Sequence, residues 1–118
     1  MSFSVTRLVD DQPHFRSHEG VRSDLEAACA QHSDLAAFEE LGASEEGRTL
    51  YGIRLGTGDR PVSLIAGNHA DEPVGPETLR SFVLNVLSNR EALAPMLRRF
   101  QFLVVPHTNP DGEARNRC

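Results

Sequence analysis

Apolar positions along the 118-residue chain change their spacing several times, and each change marks an expected element. Between Pro13 and His32, the residues Phe15, Val21, Leu25, Ala28, Cys29 and His32 recur at roughly helical intervals, which predicts an amphipathic helix. Leu35 to Leu41 is a short apolar-leaning stretch stopped by Gly42. Thr49 to Leu55 alternates instead, placing Tyr51, Ile53 and Leu55 on one face of a half-buried strand. The polar run Ala43-Ser44-Glu45-Glu46-Gly47-Arg48 joins these two stretches as the turn of an antiparallel hairpin. Gly56 to Pro61 forms a second turn cluster. The run that follows it, Val62-Ser63-Leu64-Ile65-Ala66, is the pattern of a strand buried on both faces.

Leu79, Phe82, Val83, Val86 and Leu87 then fall at i, i+3, i+4, i+7 and i+8, the clearest helix in the chain. Pro76 and Glu77 suit its first turn, where proline lacks no needed donor and a carboxylate meets the positive dipole end. Arg98 and Arg99 lead into a last strand, Phe100 to Val105. Strand, helix and strand predict a right-handed crossover with parallel strands. The expected fold class is α/β: a mixed sheet with an N-terminal antiparallel hairpin, a parallel βαβ section and helices on the faces, in one domain over residues 1–118. Ligands of such sheets gather at the carboxyl ends of the parallel strands. Two loops sit there, Gly67 to Gly75 and Pro106 to Arg117.

Composition narrows the class of partner. Hydrophobic residues make up 39% and charged residues 25%, an ordinary globular balance. The net charge of -5, with Lys and Arg scattered, argues against a nucleic-acid or anionic-membrane surface. The N-terminus has neither a basic nor an apolar segment of the secretory kind, and no apolar run approaches a membrane span. Cys29 and Cys118 form no disulfide or zinc-ribbon pattern, which fits a reducing, cytoplasmic location.

The chemistry lies in the two loops. His69 and Glu72 are three apart, a spacing that puts both side chains on one side of a helical turn, and imidazole and carboxylate are both zinc donors. Spacing alone favours a plain polar loop, with Asp71 a simple N-cap. In the second loop Asn109-Pro110-Asp111-Gly112 reads as a tight turn, with Pro110 presetting φ and Gly112 taking positive φ. The tail Glu113 to Arg117 is either solvated surface or a set of guanidinium groups presented to an anionic substrate group. His14, His18 and His32 belong to the first helix, at its surface or the edge of the core. His107, at a strand end, is either a metal ligand or, more commonly for such a residue, a support for the ligands or the fold.

Three stretches taken in order resemble the zinc metallocarboxypeptidases of the carboxypeptidase A type, over roughly residues 40 to 117. Ser44-Glu45-Glu46-Gly47-Arg48-Thr49-Leu50-Tyr51 is similar to that family's S-x-x-G-R-x-(I/L)-x hairpin. Gly67-Asn68-His69-Ala70-Asp71-Glu72 is similar to its G-x-H-x-x-E zinc motif, and Pro106 with Asn109-Pro110-Asp111-Gly112 to its P-x-x-N-P-D-G turn. The resemblance implies a Zn2+ ion held by two histidines and one glutamate, with His69 and Glu72 as two of the ligands. It also implies a glutamate base, an arginine at the oxyanion, either Arg115 or Arg117, and an Asn-Arg pair at the substrate carboxylate, for which Asn116 and Arg117 are substitutes in an altered context. The third ligand and the base lie far downstream in that family. The chain is therefore expected to be the N-terminal portion of a longer hydrolase, inactive alone, with an uncovered sheet edge. The expected substrate is a peptide. His-x-x-Glu-Pro is also reminiscent of zinc deacylases of N-acyl amino acids, against which Asn-Pro-Asp-Gly argues, and a non-catalytic module on the same scaffold is the third reading.

Overall fold

A computed structural model of the chain describes residues 3–8, 10, 12 and 14–115. After a single 3-10 turn at Val5–Leu8 come helix α1 (His18–Gln31), strands β1 (Ala36–Ala43), β2 (Thr49–Leu55) and β3 (Arg60–Ile65), helices α2 (Val74–Ser88) and α3 (Ala94–Arg99), strand β4 (Phe100–Val105) and helix α4 (Pro110–Arg115). The strands form one mixed sheet in the order β1-β2-β4-β3. β1 with β2 and β2 with β4 are antiparallel, and β3 with β4 is parallel. The α/β class, the hairpin and the parallel crossover therefore stand as the sequence predicts.

Register explains where the core sits. Ala36 pairs with Leu55, Phe38 with Ile53, Ile53 with Val104, and Leu64 with Val104. Alternation then puts these residues, with Tyr51, Phe102 and Val62, on a single face. That face packs against Val21, Leu25 and Cys29 of α1 and Val83, Val86 and Leu87 of α2 in one cluster. The opposite face is more polar: Arg54 donates to Glu39 at 2.7 Å and to Gln101 at 2.7 Å.

Several local expectations give way. The first helix begins at His18, not Pro13, because Ser17 caps it by accepting from Gly20 N–H at 3.1 Å. Phe15 precedes it and is 59% exposed, and Pro13 lies outside the described residues. His18 is buried rather than peripheral, His32 is the C-cap, and His14 precedes the helix. Gly42 does not stop its strand: β1 runs through it, with the register shifting between Glu40 and Gly42. Among the described residues the Val62 run lies at the end of the sheet, half-buried to exposed rather than buried on both faces. β4 inserts between β2 and β3, so β3 has one partner among the described residues, and Ile65 is 59% exposed. Asp71 is not an N-cap: that position in α2 falls to Pro73, which makes no side-chain cap bond. The segment before Phe100 holds the short α3, which buries Leu97.

Candidate metal centre

The loop after β3 is fixed from below by the turn after β4. Ala66 O and Gly67 O accept from Thr108 N–H at 3.1 Å and Asn109 N–H at 3.0 Å. Thr108 Oγ1 bonds Asn68 Oδ1, and Asn109 Nδ2 donates to Asn68 O at 3.2 Å. The two backbones approach so closely that a Cβ on Gly67 would stand 2.5 Å from Pro106 O, and Gly67 has φ +80°. Glycine satisfies both demands.

On this base His69 and Glu72 face each other. His69 Nδ1 lies 3.2 Å from Glu72 Oε1, and both side chains are open to solvent, at 70% and 69%. With His107, Glu113 and Arg16 they line a pocket of ≈ 20 Å3, room for about one water-sized species. An imidazole nitrogen and a carboxylate oxygen at this separation are the right kinds of donor for zinc. Among the described residues, no group of three or more His, Cys, Asp or Glu side chains could hold a metal ion. The donor set fits in kind and supplies two positions.

His107 lines the pocket but is buried, 3% exposed, with its ring edge-on to His18. Burial first, and His18 second, push its pKa down to about 4, so the imidazole is held neutral. Arg115 is engaged elsewhere: its Nε donates to Asp111 O at 3.3 Å and pairs with Glu46 at 3.1 Å. Asn116, Arg117 and Cys118 lie outside the described residues.

Asn109-Pro110-Asp111-Gly112 is not a free-standing turn. It opens α4, with Asn109 Oδ1 accepting from Gly112 N–H at 3.1 Å in the manner of an N-cap. Gly112 is helical rather than at positive φ, and any Cβ there would meet Asn109 Nδ2 at 2.5 Å. Asp111, 6% exposed, reaches back to the β1–β2 turn. It accepts from Ser44 Oγ at 2.7 Å, Glu46 N–H at 3.1 Å and Arg48 Nη1 at 2.9 Å. Burial opposes its charge, yet the Ser44, Arg48 and Glu46 bonds prevail and hold its pKa below the usual carboxylate value. Sequence reading missed this contact and the presence of Arg16 and Glu113 in the pocket. A polar residue in each of two motifs was the available signal for the first, and no local signal marks the second.

Comparison with known proteins agrees with this layout. A family model described as zinc carboxypeptidase matches residues 21–117. Carboxypeptidase B of Astacus astacus is 33% identical over 107 residues, covering 88% of this chain and 35% of its own. The metallo-carboxypeptidase of Burkholderia cenocepacia superposes with a TM-score of 0.74 at 26% identity, covering 86% of this chain and 29% of that one. Carboxypeptidase A of Helicoverpa armigera superposes at 0.75 with 24% identity, over 89% and 26%, a likeness of fold. The chain thus spans about a third or less of the length of the relatives it matches.

Proposed function

The chain belongs to the zinc carboxypeptidase family, and from that premise we propose that it carries part of the active site of a zinc-dependent hydrolase that removes C-terminal residues from peptides. The observation that carries the reading is the 3.2 Å approach of His69 Nδ1 to Glu72 Oε1 at the carboxyl end of β3. Both side chains would turn these atoms toward one zinc ion. Zinc bound there supplies Lewis-acid polarisation and a water acidic enough to act as nucleophile at neutral pH.

The rest of the chain prepares that position. Thr108 and Asn109 N–H groups hold the carbonyls of Ala66 and Gly67, which fixes the backbone just before His69. Such main-chain anchoring pre-orients a ligand so that less freedom is lost on metal binding. Arg115 and Arg117 are the two candidates for binding the developing oxyanion, and Asn116 with Arg117 for the substrate carboxylate. To serve, Arg115 must exchange its partner Glu46 for the substrate. Matches to carboxypeptidases, together with the Asn-Pro-Asp-Gly sequence, support a peptide substrate over an N-acyl amino acid.

The test is metal content and peptidase turnover of the complete natural gene product. His69→Ala and Glu72→Gln are each expected to remove bound zinc and to lower turnover of C-terminal peptides by at least about 10³-fold. In metal-free solution the variants' unfolding midpoints should match the parent's, because both side chains are exposed, whereas zinc should raise the midpoint of the parent alone. Stoichiometric zinc retained in the double variant would sink the assignment.

A further inference from the structure

Three buried side chains meet beneath the proposed centre without joining it. His18 (3% exposed) enters from the first turn of α1, Tyr51 (1%) from β2 and His107 (3%) from the turn after β4. The His18 ring centroid is 4.9 Å from that of His107 and 5.8 Å from that of Tyr51. Four polar atoms here are sealed from solvent and have no hydrogen-bond partner in the protein: His18 Nδ1 and Nε2, Tyr51 Oη and His107 Nε2. Glu19 Oε1 comes within 3.3 Å of His18 Nδ1 but makes no hydrogen bond with it, and its side chain is 68% exposed.

Native interiors leave few polar groups unpaired, so four such atoms on three residues grouped about His18 point to a small polar occupant. None of the three side chains bonds another directly, and the ring separations of 4.9 and 5.8 Å about His18 are of the size a bridging molecule spans. We propose that His18, Tyr51 and His107 hold one buried water molecule, which fastens α1 and β2 to the turn supporting the His69 loop. Three of the four atoms can bond the water, and the second His18 nitrogen is left to Glu19 Oε1, 3.3 Å from Nδ1. A neutral imidazole offers one N–H and one lone pair, and a phenol one O–H. The water accepts from Tyr51 and from one imidazole N–H and donates to an imidazole lone pair, the usual complement for an interior water. A cation is disfavoured, because no carboxylate hydrogen-bonds the three residues to offset its charge. The next residues of the turn, Thr108 and Asn109, bond the loop that carries His69, so the water lies at the base of that support.

This site does not depend on whether His69 and Glu72 bind zinc. A crystal structure that orders interior solvent is expected to show one solvent molecule in hydrogen-bond range of Tyr51 Oη, a His18 nitrogen and His107 Nε2. Rings rotated into direct contact, with no density between them, would overturn the proposal. His107→Leu and Tyr51→Phe are each expected to lower the urea midpoint, and the double variant by less than the sum. Strict additivity would count against a shared bridging molecule. In the His69→Ala/Glu72→Gln background, EDTA is expected to leave the midpoint unchanged. A drop reversed by zinc would make the occupant a metal ion and refute the water.

Discussion

Replacing Glu77 with leucine tests whether the contact between α1 and α2 depends on a buried ion network. Glu77 is 4% exposed and Arg80 5%. The Glu77 carboxylate accepts from Arg80 at 3.0 and 2.9 Å and from Arg16 Nη1 at 3.0 Å on both oxygens. Burial disfavours its charge, but the Arg80 and Arg16 contacts outweigh this and hold its pKa below the ordinary carboxylate value. Leucine would leave the Arg80 guanidinium buried without its main partner, and breaking half of a buried pair costs about 3–5 kcal/mol. Asp24 at 3.3 Å and Asp10 at 3.7 Å still face Arg80, which puts the expected loss at the low end, about 3 kcal/mol. For a chain of this size that is a Tm drop of roughly 10 °C, read by circular dichroism at neutral pH and checked by urea midpoint. Glu77→Leu with Arg80→Leu should recover most of the loss, because an ion pair exchanged for apolar groups of similar size is roughly neutral. The folded pKa of Glu77 lies below its unfolded value. Its contribution is therefore present above the unfolded pKa and vanishes as pH falls through the folded one. The acid limb of the stability curve should flatten in the variant. A single-variant loss under about 1 kcal/mol, the level of an exposed pair, would refute the reasoning.

His107, with a folded pKa of about 4 against an ordinary 6.5, favours the folded state fully above pH 6.5 and loses that contribution as pH falls toward 4. The span is worth about 3 kcal/mol, and His107→Leu should remove this part of the slope in urea titrations at stepped pH. Gly67→Ala must accommodate a Cβ 2.5 Å from Pro106 O and 2.8 Å from His107 Cα at positive φ, so a loss of about 2 kcal/mol or more is expected in thermal melts. Cys29 is buried, and burial with Glu26 nearby raises its thiol to about 11. Reaction with a disulfide reagent at neutral pH should therefore keep pace with unfolding and accelerate in step with added urea.

What the sequence made legible depended on how local each determinant is. The period of Leu79, Phe82, Val83, Val86 and Leu87 identified α2 because one helix face is buried whatever lies beyond it. The same reasoning misjudged β3. Val62-Ser63-Leu64-Ile65 is equally apolar in a central or an edge strand, and among the described residues β3 pairs with β4 alone. Gly42 and Gly112 were read from their usual conformations. Their positions are set instead by a bulge against Leu50 and by the space under Asn109. α3 is six residues long, too short to show a period.

The candidate site divides along the same line. His69 and Glu72 share one loop, so their spacing carried the message, whereas His18 and His107 are 89 positions apart and only the packed chain shows that they touch. Between these extremes stands the pairing of two motifs. Ser44 and Arg48 sit in one and Asp111 in the other, and as separate strings each reads as a turn. At 6% exposure burial opposes the charge of Asp111, and the Ser44 hydroxyl, the Glu46 N–H and the Arg48 guanidinium outweigh it. The β1–β2 turn in turn gains its lock on α4 only through that carboxylate. Each motif supplies the partner the other needs, so their joint presence is a statement about one tertiary contact. That contact secures α4, whose cap residue Asn109 holds the loop of His69. A hairpin remote in sequence thus helps to set the position of the candidate metal ligands.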